Sequence, residues 1–155
     1  MDKINWKFDN TYSKLSNSFR ELIKPTPVHN PEIVIFNYRL AEDINLDFSK
    51  LNDDELSNIF SGNSLPKEAK TLAQAYAGHQ FGHFTMLGDG RAVLLGEHLD
   101  NNKNRYDIQF KGSGRTSFSR GGDGRAALGP MLREYLISEA IHALNIPTTR
   151  SLAVV

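Results

Sequence analysis

The pattern of apolar and polar positions changes character at Gly78. Residues 1–35 show no regular period, hold Trp6, Phe8 and Phe19 as isolated apolar anchors, and are interrupted by Pro25, Pro27 and Pro31. Such a stretch predicts an extended arm wrapped over a surface. Two short helices are predicted between Leu40 and Gly62, the second capped by Asn52 or Asp53 and running through Leu56, Ile59 and Phe60 to a stop at Gly62. The alanine-rich residues 67–77 predict a third helix, closed by Gly78.

Beyond Gly78 the pattern becomes one of strands and glycines. Residues 84–87 and 91–99 read as two strands of a hairpin about Gly88, Asp89 and Gly90, a turn suited to positive backbone angles. Residues 106–111 alternate cleanly: Tyr106, Ile108 and Phe110 point one way, Asp107, Gln109 and Lys111 the other. Lys111 therefore shares a face with polar groups, as a cleft-lining residue does. The glycine-rich link GSGRTSFSRGGDGR leads to a helix with Pro130 in its first turn, ending near Asn145. Leu132, Leu136, Ile137, Ala140, Ile141 and Leu144 form an apolar stripe on it. Glu134 borders the stripe on one side and Glu139 on the other, and periodicity does not choose between them. Arg133 falls inside the stripe and calls for a buried partner.

These elements define an α+β fold in two parts: an irregular and helical extension over residues 1–78, and a lobe over residues 79–155 with an antiparallel sheet and one long helix. The terminal RSLAVV reads as a strand entered and not left, so the chain is expected to be the amino-terminal piece of a longer polypeptide.

Composition narrows the function classes. Eighteen basic and eighteen acidic residues among 155 cancel, so no general field draws the protein to nucleic acid or to a membrane. Cysteine is absent, which excludes disulfides, thiolate metal sites and a cysteine nucleophile, and makes a cytoplasmic location the default. No segment has the apolar core of a secretory signal or approaches the ~20 apolar residues of a membrane span.

The candidate chemistry lies between Leu87 and Glu139. A glycine turn, a strand ending in lysine and a helix carrying glutamate follow one another in the order that a kinase-like nucleotide-binding lobe uses to cover, grip and align phosphates. Each element alone has a bland reading: glycine turns serve hairpins, and a lysine at a strand end is commonly a solvated edge charge. Arg91 beside the turn, and Arg115, Arg120 and Arg125 in a link that also holds Asp123, raise the case for anion binding. An RNA-binding arginine–glycine tract lacks the flanking strand and helix seen here, so nucleic acid is not expected as a partner. His79 and His83 stand four apart, but glycines on both sides disfavour a helix and no third ligand is evident, so they are read as structural rather than metal-binding. Asp89 is read as a turn former and Asp107 as a strand-face polar residue. No serine has a histidine and carboxylate at triad spacing.

Taken as strings, WKFDNTY, PTPV, LAQAYAGHQFGHFTMLGDGRAVLLGE, DIQFKGSGRTSFSRGGDGRAALGPMLREYLISEA and IPTTRSLAVV resemble the selenoprotein O family, also known as the YdiU family, over nearly the whole chain. One departure is Ser117, where the family often has proline. The resemblance implies a protein-kinase-like fold, truncated here before its carboxy-terminal lobe. It also implies transfer of AMP from ATP, bound in a flipped orientation, to hydroxyl side chains of protein substrates. It assigns nucleotide contacts to Gly88, Gly90, Arg91, Lys111, Asp123 and Gly124, and pairs Glu134, not Glu139, with Lys111. The catalytic base, the Mg2+ ligands and two further phosphate-binding arginines are implied to lie downstream, so this piece, the ATP-binding portion, is expected not to transfer AMP unaided. Two rival readings are a non-catalytic nucleotide-binding scaffold and a purely structural domain.

Overall fold

A computed structural model describes residues 4–155. In chain order the elements are β1 (Arg20–Leu22), β2 (Ile35–Phe36), α1 (Tyr38–Asp43), α2 (Asp53–Phe60), β3 (Leu72–Gln80), β4 (His83–Gly88), β5 (Ala92–Leu99), β6 (Arg105–Lys111), α3 (Leu128–Ala143) and β7 (Ala153–Val154). A five-stranded antiparallel sheet runs β1-β3-β5-β6, with β4 also on β3, while β2 and β7 form a separate two-stranded sheet. The mixed α/β architecture with a predominantly antiparallel sheet follows the predicted class.

The expected helix over residues 67–77 is not formed: this stretch enters β3, which runs on through Gly78 to Gln80. Alanine favours helix by weak intrinsic propensity, and burial between neighbours overrides it. Leu72 and Ala73 are fully buried where β3 pairs with β1. Position 78, read as the end of the extension, therefore lies inside a strand, and β1 from the extension joins the same sheet. The two earlier helices form as the pattern indicates. Asn52 caps α2 reciprocally with Glu55, its side chain accepting the Glu55 N–H while Glu55 accepts the Asn52 N–H.

The core lies where α1 and α2 cover the inner face of β5 and β6, with Leu40, Ile44, Phe48, Leu56, Leu95 and Ile108 buried together. Ile108 and Phe110 point into it and Lys111 away from it, as the alternation requires. Trp6 anchors the arm, stacking on Phe8 with ring centroids 5.1 Å apart and meeting Phe48 edge-on. Phe19 does not act as an anchor: its side chain is exposed, and its carbonyl accepts the Ala75 N–H instead. Beyond the single β3–β5 pair at Leu72 and Leu94, arm residues 7–9 take over along β5, with Asp9 N–H bonded to Glu97 O and Leu99 N–H to Lys7 O. Glu97 is buried and receives the Thr11 hydroxyl at 2.6 Å, the Tyr12 N–H at 2.7 Å and Arg105 at 3.1 Å, which locks the arm in place.

His98 sits beneath Trp6 in this seam. One ring nitrogen lies 2.8 Å from the Ile44 carbonyl and the other accepts the Lys7 N–H at 3.2 Å, a pairing that requires the neutral ring. Burial, with a contribution from nearby Lys7, lowers its pKa below the ordinary 6.5, against the opposing pull of the Ile44 carbonyl and Asp100. Because the unfolded chain takes up the proton more readily, the stability this group confers is present above about pH 6.5 and declines as pH falls toward the lowered folded value. Urea unfolding followed between pH 7.5 and 5.5 is expected to show this loss, and His98→Gln to flatten it; an unchanged slope in the variant would exclude His98 as its source.

Candidate nucleotide site

The glycine turn is not the tip of a hairpin between β4 and β5. Both strands run antiparallel to β3, so they follow one another along it, β4 from Gln80 to Ala75 and β5 from Leu72 onward. The tight turn of the observed hairpin is Phe81-Gly82, both at positive φ (57° and 81°), between the paired Gln80 and His83. Gly88, Asp89, Gly90 and Arg91 instead form a break in the path from β4 to β5. Asp89 seals it: its carboxylate accepts the Gln74 N–H at 3.0 Å and its own N–H donates to Gln74 O at 2.8 Å. The same carboxylate accepts the Gln109 amide at 3.3 Å, and its burial raises its pKa above the ordinary carboxylate value against the opposing Gln74 bond. The ring of Phe118 packs where a Cβ on Gly88 would stand, so no larger residue fits there.

Lys111 ends β6 opposite Ala92, and the next residue, Gly112, donates its N–H to Arg91 O at 2.7 Å. The ladder thus brings Arg91 and Lys111 to one end of the sheet. Lys111 Nζ meets Glu134 Oε1 of α3 at 2.5 Å. Glu139, the alternative that periodicity left open, is engaged elsewhere, taking a bidentate fork from Arg150 at 2.6 and 2.9 Å. Asp43 at 3.4 Å extends that cluster to α1. Arg133 is exposed and needs no buried partner, because α3 buries only Ser138 and leaves Leu136, Ile137 and Leu144 uncovered. The apolar stripe is therefore a surface of the described structure.

The link after Lys111 closes on itself. Ser113 bridges to Arg125, and Gly114 N–H donates to Gly124 O at 3.1 Å. Gly124, at φ 71°, lies so close that a Cβ would stand 2.0 Å from Gly114 O. Asp123 stabilises the closure by accepting the Arg125 N–H at 2.9 Å. Arg125 reaches the Thr26 and Pro27 carbonyls at 3.4 Å, so part of its charge holds the arm. A groove of about 280 Å³ opens at the link between Arg115, Asp123, Arg125 and Thr26. A second, of about 500 Å³, runs along α3 past Arg133 and Glu134. Lys111, Gly88, Gly90 and Arg91 line neither groove.

His79 and His83 lie on the exposed hairpin, with one ring nitrogen of His83 3.1 Å from Phe81 O. Arg120 of the link stacks over Phe81 at 5.7 Å, a contact that sequence reasoning missed because Phe81 was not recognised as a turn residue. Thr116 and Ser119 were also passed over. Their hydroxyls bond Asp89 O and Gly90 O, and the one signal available was their position in a segment also rich in glycine and arginine. Ser117 uses its N–H to bond Glu21 of β1 at 2.8 Å, a donor that a proline in its place would lack. Among the described residues no three His, Asp or Glu side chains converge on one point. Nor is any described helix long and apolar enough to cross a membrane.

The sequence pattern of the family described as protein adenylyltransferase SelO matches residues 2–155. The chain is 70% identical over 152 residues to the "Protein nucleotidyltransferase YdiU" of Pelagibacter ubique, covering 98% of this chain and 32% of the relative. Proteins of the same name from Nitrosococcus oceani and Anoxybacillus flavithermus are 64% and 62% identical over 151 residues, covering 97% of this chain and 31% and 32% of the relatives. The chain thus spans about a third of the length of these curated relatives. A match along nearly its entire length places this chain in the SelO family.

Proposed function

We propose that this chain is the ATP-binding part of a protein adenylyltransferase, built as a kinase-like small lobe and an amino-terminal extension. In the proposed reaction a serine, threonine or tyrosine hydroxyl of a protein substrate attacks the α-phosphorus of ATP. The bond from that phosphorus to the β-phosphate oxygen breaks, pyrophosphate leaves and the hydroxyl proton passes to a base. The observation that carries the reading is the Lys111–Glu134 contact, made by a member of this family at the end of the sheet where the Gly88–Arg91 break lies. A carboxylate beside the ammonium fixes it in position for a polyphosphate, where a free lysine would swing. Gly88, Gly90, Arg91, Lys111, Asp123 and Gly124 are assigned to the nucleotide, and this part of the chain supplies it with positive charge and N–H donors. Mg2+ would neutralise further phosphate charge through ligands outside the described residues.

Calorimetric titration of the full-length protein with ATP is expected to show saturable binding, and label from α-phosphate-labelled ATP is expected to appear on protein. Binding without label transfer would favour the scaffold reading. Absence of both would leave the purely structural one.

A further inference from the structure

The break between β4 and β5 is held from one side by the link. Thr116 Oγ1 donates to Asp89 O at 2.6 Å, and Ser119 Oγ donates to Gly90 O at 2.5 Å. Neither hydroxyl is free to turn away. Thr116 Oγ1 also accepts the Phe118 N–H at 3.1 Å, and Ser119 Oγ accepts the Thr116 N–H at 2.8 Å, so each proton is committed to its carbonyl.

In a trans peptide the carbonyl and the N–H point in opposite directions, and the described residues contain no cis bond. The Gly90 N–H belongs to the same peptide as Asp89 O, and the Arg91 N–H to the same peptide as Gly90 O. With both carbonyls turned toward the link, both N–H groups turn away from it. Neither meets an acceptor among the described residues, whereas the preceding N–H, that of Asp89, is used by Gln74 O. Two adjacent unpaired amides on one side of a glycine-containing turn form a concave donor pair suited to an anion. Arg91 adds an exposed side chain at the same place, and Lys111 lies across the ladder from Ala92. The Asp89 carboxylate, the one negative group in the break, is occupied by the Gln74 and Gln109 donors.

We infer that Thr116 and Ser119 are positioning residues of the nucleotide site. By gripping the Asp89 and Gly90 carbonyls, their hydroxyls aim the Gly90 and Arg91 amides at phosphate oxygens of ATP. The inference rests on the proposed assignment of Gly90 and Arg91 to the nucleotide, and adds what orients them. Without the hydroxyls the two peptide planes can rotate, and the donors are no longer set before the ligand arrives.

The test uses the full-length protein labelled with 15N-glycine and 15N-arginine. On addition of ATP the Gly90 and Arg91 amide resonances are expected to shift, and adenosine, which has no phosphate, is expected to leave them in place. The Thr116→Val, Ser119→Ala double variant is expected to lose these shifts and to bind ATP about tenfold more weakly, as the loss of oriented charge-assisted donors implies. Its unfolding midpoint serves as the control for structure, and Thr116→Ser, which restores the hydroxyl, is expected to recover binding. If Lys111→Ala weakens ATP binding while the double variant binds like wild type, the positioning role is overturned and the nucleotide site stands. If none of these variants affects ATP, the site assignment itself fails. Should the double variant not fold, the wild-type amide shifts decide: their absence at saturating ATP overturns the inference.

Discussion

Lys111→Ala in the full-length protein is expected to reduce AMP transfer to background, a loss of at least about a hundredfold, comparable to removing a preorganised donor from a charged transition state. The ammonium projects from the last residue of a paired strand, so its Cα position is set by the ladder with Ala92 and its head by Glu134 at 2.5 Å. Both side chains are well exposed, 39% and 50%, and a pair so open to water contributes little to folding. The variant is therefore expected to unfold like wild type while failing to transfer label, a separation that distinguishes a functional cation from a structural one. Glu134→Gln should produce a smaller defect in the same direction, because it loosens the lysine without removing it. Wild-type transfer by Lys111→Ala would refute the assigned role.

Gly124→Ala is expected to have the largest effect on the site's structure. Gly124 has φ 71°, where an L side chain is strained, and the added Cβ would lie 2.0 Å from Gly114 O and 2.6 Å from Arg115 N. Those atoms are backbone on a segment tied by the Ser113–Arg125 bridge, so the clash cannot be relieved by turning a side chain. Strain and overpacking together are expected to cost on the order of 3 kcal/mol, or to open the link. A lowered denaturant midpoint with weakened ATP binding is the expected result. Gly121→Ala is the matched control, since a Cβ there meets nothing within 4 Å.

The parts that local pattern could show were those in which one period or one cap decides the outcome. The alternation from Tyr106 to Lys111 placed Ile108 and Phe110 in the core and Lys111 outside it, and Asn52 or Asp53 marked the start of α2, where Asn52 proves to be the cap. Residues 67–77 misled because the partners that make them a strand, Arg20 to Leu22 and His83 to Gly88, lie far off in sequence or beyond an unrecognised turn. Reading β3 as helix also moves the hairpin turn from Phe81-Gly82 to Gly88-Asp89-Gly90, because the strand that pairs with β4 is then missing. The choice of Glu134 over Glu139 needed family resemblance, because the two border the same stripe on opposite sides. What separates them in space is Arg150, whose return to α3 and α1 no periodicity signals. Thr116 and Ser119 were invisible for a related reason, since a hydroxyl's acceptor is fixed by tertiary folding alone.

The seam between residues 7–9 and β5 carries a consequence for biosynthesis. Asp9 and Glu97 bond across 88 positions of chain, so during translation the arm emerges long before the strand it completes. Until Leu99 has left the ribosome, Trp6 and Phe8 have no permanent seat, and the outer edge of β5 is finished by a segment made long before it only at a late stage. A bulky fusion placed just ahead of the arm would thus hinder the closing step of folding rather than its beginning.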